Sequence, residues 1–295
     1  MRLVTYNIQY GTGRDGQVDL GRIAEAVRGA DVIALQEVER HWTRSGMADQ
    51  PAELAALLPD YHWVYGPPFD VDASQVRSDG TVLNRRRQFG NMLLSRRPIF
   101  SSRLHLFPMA ATVDRHNLPY GALEGVIDTA AGPVRFHSLH LSYLTRRERL
   151  DEIAVLMDLH RRAPVEGGAW TGYRARRAAH WQLTDPPPAA PVEAVLMGDF
   201  NMTPGSPEYE ALAGYHDDLY GRVDVLGRFV DAWVAAGHGQ DTGVTYPAKP
   251  EEGEPDLRLD YCFVSTPLAP RLGDCWIDGD AAGSDHQPVW TEIDL

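Results

Sequence analysis

The sequence predicts an α/β fold with mixed sheets, and three observations carry that expectation. The chain opens with strand-like, helix-like and strand-like segments in turn, a turn-prone stretch divides two strand-like runs near its middle, and several apolar runs end on acidic or amide side chains. The first strand covers Leu3-Val4-Thr5-Tyr6. From Asp19 onward, Leu20, Ile23, Ala24 and Val27 fall at i, i+3, i+4 and i+7, one apolar helix face with Asp19 placed to cap it. Val32-Ile33-Ala34-Leu35 suits a buried strand, so the opening reads β-α-β with a parallel pair, and Glu37 stands at that strand's end.

Residues 53–58 form a helix stopped by Pro59, followed by strands at 61–65 and 91–95. Residues 122–128 and 134–141 flank Thr129-Ala130-Ala131-Gly132, which predicts an antiparallel hairpin and makes the sheets mixed. Thr145 and Glu148 form a T-x-x-E capping box ahead of Leu150, Ile153, Met157 and His160, so a helix begins near Arg146. Residues 161–191 carry Gly167-Gly168, several arginines and Pro186-Pro187-Pro188 without a steady period, and read as a long loop excursion inside one domain spanning 1–295. A strand at 192–197, a helix at 207–212 and strands at 259–264, 275–277 and 289–293 complete the chain.

With 295 residues, 43% of them hydrophobic, the chain can bury a sizeable core. Its net charge of -13 and pI near 5.2 argue against a surface that holds long nucleic acid by bulk electrostatics. No secretory pattern opens the chain, and no apolar stretch approaches the roughly twenty residues that span a bilayer, so a soluble, cytoplasmic protein without a transmembrane segment is expected. Cys262 and Cys275 belong to no C-x-x-C pattern, which leaves buried reduced thiols as the expected state.

The chemistry concentrates where apolar strands run out. Asn7 follows Val4-Thr5-Tyr6, Glu37 follows Ile33-Ala34-Leu35-Gln36, and Asp199 and Asn201 follow Val195-Leu196-Met197. Asp260 lies within Leu259-Asp260-Tyr261, and Ser284-Asp285-His286 precedes the last strand. Each of these alone is compatible with an ordinary turn or strand terminus. Together, carboxylates with an amide oxygen suit a hard cation such as Mg²⁺. Cleavage of a phosphoester needs negative charge stabilised, a water aligned and a leaving oxygen stabilised, tasks that metal, carboxylate and histidine can divide.

The segments Tyr6-Asn7-Ile8, Leu35-Gln36-Glu37-Val38, Gly90-Asn91-Met92-Leu93-Leu94-Ser95-Arg96, Ser138-Leu139-His140-Leu141, Gly198-Asp199-Phe200-Asn201, Leu259-Asp260-Tyr261 and Ser284-Asp285-His286-Gln287-Pro288 together resemble the ordered motifs of the endonuclease/exonuclease/phosphatase superfamily. The resemblance implies a deoxyribonuclease I-like, four-layer α/β/β/α sandwich of two packed mixed sheets, Mg²⁺ or Mn²⁺ as cofactor, and hydrolysis of a phosphoester. It makes Glu37 the principal metal ligand, with Asn7 and Asp285 close to the same ion or its waters. Asp199 aligns or deprotonates the attacking water and Asn201 holds phosphate or water. His140 donates to a non-bridging oxygen, His286 contacts the scissile phosphate with Asp260 fixing its tautomer, and Asn91 supports the floor. Either Asp199 or His286 takes the proton.

Strand alternation sets His137 and His140 on opposite faces, and only His140 matches the motif. Tyr120 stands before Gly121-Ala122-Leu123, where many members of the superfamily carry an arginine. A replacement phosphate contact is expected from Arg86 within Arg85-Arg86-Arg87, or from Arg176 beside Arg174 and Arg177, the alternative being that both groups are solvated loop charges. Trp170, Tyr173 and Trp181 beside the second group either pack the loop down or hold an aromatic or cationic ligand. The expected activity is hydrolysis of a small phosphodiester or phosphomonoester, such as a lipid headgroup, an inositol phosphate or a nucleotide-like compound. A nuclease acting on DNA or RNA is the alternative, a non-catalytic binding module the third reading, and no protein partner is expected.

Overall fold

The computed structural model describes residues 1–171, 190–249 and 253–295. β1 (Arg2–Asn7) leads to α1 (Leu20–Ala26), whose first turn is held by the Asp19 carboxylate accepting the Gly21 N–H at 2.8 Å, and β2 (Val32–Arg40) returns parallel to β1. After α2 (Gln50–Leu57) come β3 (His62–Asp72), the small ribbon of β4 (Gln75–Val76) and β5 (Val82–Leu83), then β6 (Arg86–Ser95) and β7 (Ile99–Leu106). β8 (Gly121–Ile127) and β9 (Val134–His140) form the antiparallel hairpin, and α3 (Arg146–Glu166) crosses to β10 (Ala194–Asp199), which is parallel to β9. α4 (Pro207–Ala213), a second ribbon of β11 (His216–Asp217) and β12 (Gly221–Arg222), β13 (Phe229–Asp231), α5 (Ala232–Ala235), β14 (Asp260–Ser265), β15 (Leu272–Ile277) and β16 (Val289–Ile293) follow.

Two six-stranded mixed sheets result, in the orders β15-β16-β1-β2-β6-β3 and β13-β14-β10-β9-β8-β7. Between them lies a core of Leu3, Ala34, Leu93, Leu123, Phe136, Val195, Met197, Cys262 and Val264. The opposite face of the first sheet buries Val4, Tyr6, Ile33, Leu35 and Met92 against Ile23 and Val27 of the α1 segment and Leu54 of α2. The opposite face of the second buries Leu139, Leu196 and Phe263 against Ile153 and Leu156 of α3 and Tyr209 and Leu212 of α4. This is the four-layer α/β/β/α sandwich.

Period-two alternation explains where the polar residues go. On the face between the sheets, β1 reads Leu3, Thr5, Asn7, β9 reads Phe136, Ser138, His140, β10 reads Val195, Met197, Asp199, and β14 reads Val264, Cys262, Asp260. Each inner row is apolar at one end and polar at the other, so hydrophobic burial of the first part forces the polar termini together at one edge. Both cysteines are buried and unpaired with each other, as expected.

Several elements run longer than the sequence suggests. β3 and β6 extend over eleven and ten residues and pair from His62↔Ser95 to Asp72↔Arg86, because each supplies the other's hydrogen bonds beyond the apolar run. β7 was not predicted at all: its residues alternate between half-buried and exposed, the weak pattern of an edge strand. α3 continues to Glu166, six residues into the stretch assigned to a loop, although Pro164 in its last turn has no N–H to donate to His160 O. Tyr173, Arg174, Arg176, Arg177 and Trp181 lie outside the described residues. Among the described residues, no helix is long and apolar enough to cross a membrane.

Candidate active site

The polar edge opens into a cleft of about 380 Å³ lined by Glu37, Tyr120, His140, Tyr143, Asp199, Asn201, Tyr246, Leu257, Asp285 and His286, among others. Beneath it, Gln36 bridges the sheets: its Nε2 donates to Ser138 Oγ at 3.0 Å, while its Oε1 accepts from Thr5 Oγ1 at 3.3 Å. These three side chains are fully buried, and their mutual hydrogen bonds let the apolar core turn polar without leaving those groups unpaired.

Glu37 does not end its strand. β2 continues to Arg40 through a register shift between Leu35 and Val38, and Glu37 takes φ 61°, the left-handed region that an unbranched carboxylate side chain enters only under constraint. The irregularity turns the carboxylate into the cleft, where regular alternation from Gln36 would send it to the opposite face of the sheet. Asn201 also has positive φ, 48°. Its backbone N–H donates to Asp199 Oδ1 at 2.9 Å and its Nδ2 reaches Leu141 O at 2.9 Å and His140 Nε2 at 3.1 Å.

Asn7 and Asp199 are each the acceptor of a two-residue turn, Asn7 Oδ1 from Gln9 N and Asp199 Oδ1 from Asn201 N, and each lies in the site as well. The ordinary turn role and the functional role therefore coincide. Asn7 Nδ2 donates to Glu37 Oε1 at 3.1 Å and to Asp199 Oδ2 at 3.0 Å, tying the carboxylates of the two sheets together.

The histidines differ in environment. His286 Nδ1 meets Asp260 Oδ2 at 2.7 Å, and its Nε2 lies 3.8 Å from Asp199 Oδ2. Burial disfavours its charge, but the carboxylates of Asp260, Asp199 and Asp285 outweigh that and raise its pKa to about 10. His140 Nε2 is 3.4 Å from Asp199 Oδ2, yet burial dominates there and His286 adds repulsion, so its pKa falls to about 4 despite the attraction of Glu37. Burial raises the proton affinity of both Glu37 and Asp199, partly offset by the two histidines at Glu37 and by His286 at Asp199.

Of the other expected site residues, Asn91 is buried beneath the cleft, its Nδ2 donating to Gly121 O at 2.8 Å on the facing sheet. Arg86 is bound to Asp70 at 2.8 Å on the exposed far stretch of β6 and does not line the cleft. His137 lies on the other face of β9 against Glu124, separate from His140. Sequence reasoning missed Gln9, Tyr246 and Lys249. Gln9 Nε2 and Lys249 Nζ both donate to Asp285 Oδ2 at 2.8 Å, and the Tyr246 ring packs on His286 at 5.0 Å between centroids. Gln9 opens a single 3₁₀ turn and Tyr246 and Lys249 form isolated bridges, so no strand or helix period foretells their neighbours. Tyr120 packs its ring against His140 at 4.7 Å.

For a cation, Glu37 and Asp285 offer carboxylate oxygens in the cleft, the donor type that suits a hard ion. Asn7 turns its nitrogen to the carboxylates and its oxygen to Gln9, so in this arrangement it bridges Glu37 and Asp199. Among the described residues, Asp199, Asp260 and His286 bring ligand-type atoms within 4.8 Å of one another. There, however, His286 Nδ1 is already committed to Asp260, which suits proton handling better than ligation.

Opposed sheets that gather carboxylates, an amide and two histidines at one shared edge define an α/β/β/α sandwich with a hydrolase-like polar cleft. The family model described as Endonuclease/Exonuclease/phosphatase family matches residues 4–286, and the chain belongs to that family. Among solved structures, an endonuclease/exonuclease/phosphatase from Beutenbergia cavernae is similar with a TM-score of 0.63 at 22% identity, covering 100% of this chain and 71% of that one. A mannosyl-6-phosphatase from Bacteroides thetaiotaomicron aligns with TM-score 0.58 at 16% identity, and a 3′ phosphatase from Neisseria bound to product DNA hairpin with 0.59 at 16%, both covering 100% of each chain. No match was found among curated proteins.

Proposed function

We propose that the protein is a divalent-metal-dependent hydrolase of a small phosphoester. The observation that carries this reading is the convergence of Asp199, His286, His140 and Glu37 on one cleft of about 380 Å³. Tyr120, Tyr143, Tyr246, Pro255 and Leu257 line the same cleft, and no lysine or arginine does among the described residues. A bounded cleft with an aromatic and apolar wall suits a compact ester better than a long polyanion. The two similar structures named as phosphatases support hydrolysis of a phosphate ester without deciding this chain's substrate.

Glu37 and Asp285 would hold the cation, which when bound neutralises phosphoryl oxygens and acidifies water. Asp199, fixed by the Asn7 amide and the Asn201 N–H, is placed to take a proton from the attacking water as its oxygen bonds to phosphorus and the ester oxygen leaves. His286 has a carboxylate facing each ring nitrogen, an arrangement that favours a protonated donor to the phosphate over a base. Neutral His140 and the Asn201 amide stand beside it as further hydrogen-bonding groups.

The test is hydrolysis of p-nitrophenyl phosphate and bis-p-nitrophenyl phosphate with Mg²⁺, Mn²⁺ or EDTA by the parent, Asp199→Asn and His286→Ala. Metal-dependent turnover lost in both variants supports the proposal, and the preferred ester sets monoester against diester. Parent-level activity in Asp199→Asn would overturn the mechanism. Cleavage of DNA or RNA that collapses with added salt would move the assignment to a nuclease.

A further inference from the structure

Asp285 lines two cavities. One is the cleft described above, and the other, about 450 Å³, is lined by Gln9, Thr12, Gly13, Arg14, Pro247 and Lys249, among others. The second cavity is firmly built. Thr12 and Val18 pair across its loop, Gly13 N donates to Gln17 O at 2.9 Å, and Arg14 N reaches Ala282 O in the segment that carries Asp285 and His286. Gly13 is required for that approach, because a Cβ there would stand 2.6 Å from Ala282 O. Gln9, which lines this cavity and donates to Asp285, is held in the left-handed region with φ 43°, as is Tyr10 after it with φ 48°.

The charge of this cavity runs against that of the chain. In a protein of net charge -13, the charged residues that line it are two cations, Arg14 and Lys249, and one carboxylate, Asp285, with Glu254 lying 3.9 Å from Lys249. Arg14 is exposed, and its neighbour Asp15 is instead taken by Arg22 at 3.0 Å. Lys249 is oriented by Asp285 and by the Tyr246 hydroxyl at 2.7 Å, so its ammonium stands at the partition between cavity and cleft. The catalytic cleft has no lysine or arginine of its own among the described residues, and the cations are displaced to the next compartment along.

Resting on the reading of the cleft as a phosphoesterase site, we infer that the Arg14–Lys249 cavity is a second anion subsite, and that the substrate is a small phosphoester carrying a further phosphate or carboxylate beyond the scissile group. The scissile phosphate occupies the cleft between His140, Asp199 and His286. The second acidic group lies past Asp285, where Arg14 and Lys249 receive it by charge-assisted hydrogen bonds. Discrimination follows from position: an ester without a second acidic group fills the cleft alone and forgoes these contacts.

The experiment compares α,ω-alkanediol bisphosphates of three to eight carbons, the matching ω-phosphoalkanoates and the matching alkyl monophosphates, with Mn²⁺, for the parent and for Arg14→Gln and Arg14→Glu. Arg14 is the deciding position because it is exposed and its side chain makes no hydrogen bond to Glu37 or Asp285, and thermal melts check that each variant is folded. At the best chain length the doubly acidic esters should exceed the monophosphates in kcat/KM about tenfold, carried by KM. Arg14→Gln should cut that ratio roughly fivefold and Arg14→Glu should abolish it. A parallel readout without turnover is titration of Asp199→Asn with propanediol bisphosphate in EDTA, where Arg14→Glu should weaken binding by a similar factor. The bisphosphate and phosphoalkanoate arms separate a phosphate from a carboxylate requirement. Equal kcat/KM for singly and doubly acidic esters, or a ratio that survives Arg14→Glu in the folded protein, overturns the subsite. If no ester at all is turned over, the reading of the cleft fails, and the titration alone judges the subsite.

Discussion

The contact between Asp260 and His286 gives the sharpest quantitative test. Asp260 is 1% exposed and His286 6%, and Oδ2 meets Nδ1 at 2.7 Å, so this is a buried, charge-assisted hydrogen bond. It fixes the ring so that Nε2 faces Asp199 and the cleft. Removing one partner of such a pair costs about 3–5 kcal/mol, because the other charge stays buried without compensation. If that loss falls on the transition state, Asp260→Ala slows turnover by roughly 10² to several 10³-fold at 1.36 kcal/mol per decade. Asp260→Asn keeps a neutral hydrogen bond, about half as strong as the charged one, so about 2 kcal/mol and a roughly thirtyfold loss are expected. Initial rates on p-nitrophenyl esters at saturating Mn²⁺ measure both, with circular dichroism and thermal melts confirming the fold. Equal loss in Asn and Ala variants, or loss under threefold in both, would refute the assignment of Asp260 as the group that orients and charges His286.

Three further perturbations test other parts of the structure. Glu152 is buried and accepts the Ser142 N–H at 2.9 Å just beyond His140; burial, opposed by that bond, raises its pKa from 4.5 to about 8. Between those values the folded state binds more protons than the unfolded, so this group's contribution to stability falls as pH rises from 4.5 and levels off above about 8. The unfolding free energy of Glu152→Gln from urea titrations should lose that slope and gain up to roughly 5 kcal/mol at the alkaline end relative to the parent; an unchanged slope contradicts the buried acid. With Mn²⁺ at about one hundred times its Kd, the parent should gain about 2–3 kcal/mol and melt several degrees higher, whereas Glu37→Gln should show little gain; equal shifts would remove Glu37 as a ligand. Gly198→Ala should cost about 3 kcal/mol or prevent folding, since its Cβ would stand 1.9 Å from Leu139 O on the paired strand, and a parent-like midpoint would contradict the register of β9 and β10.

The sequence by itself determined the elements whose signals are local. Asp19 ahead of a 3.6-residue apolar period gave α1, Thr145 with Glu148 gave the start of α3, and two apolar runs around Thr129-Gly132 gave the β8–β9 hairpin. It also named Asp199 as the polar end of an apolar strand, and His140, Asp260 and His286 through motifs resembling the family's, whereas Glu37, expected at a strand end, stands at an irregularity inside β2. Tertiary structure decided what two separate segments do to each other. The irregularity at Glu37 depends on pairing with β6, since a strand read alone gives no reason to interrupt its alternation. Arg86 is taken by Asp70 only because β3 runs beside β6 as far as Asp72. Gln9, Tyr246 and Lys249 reach Asp285 and His286 from loops whose paths are set by long-range contacts, and side-chain periodicity carries no information about such contacts. The chemistry of the edge was thus written in the order of residues along each strand, while the walls around it, and the charge beyond Asp285, arose only when the loops closed over the two packed sheets.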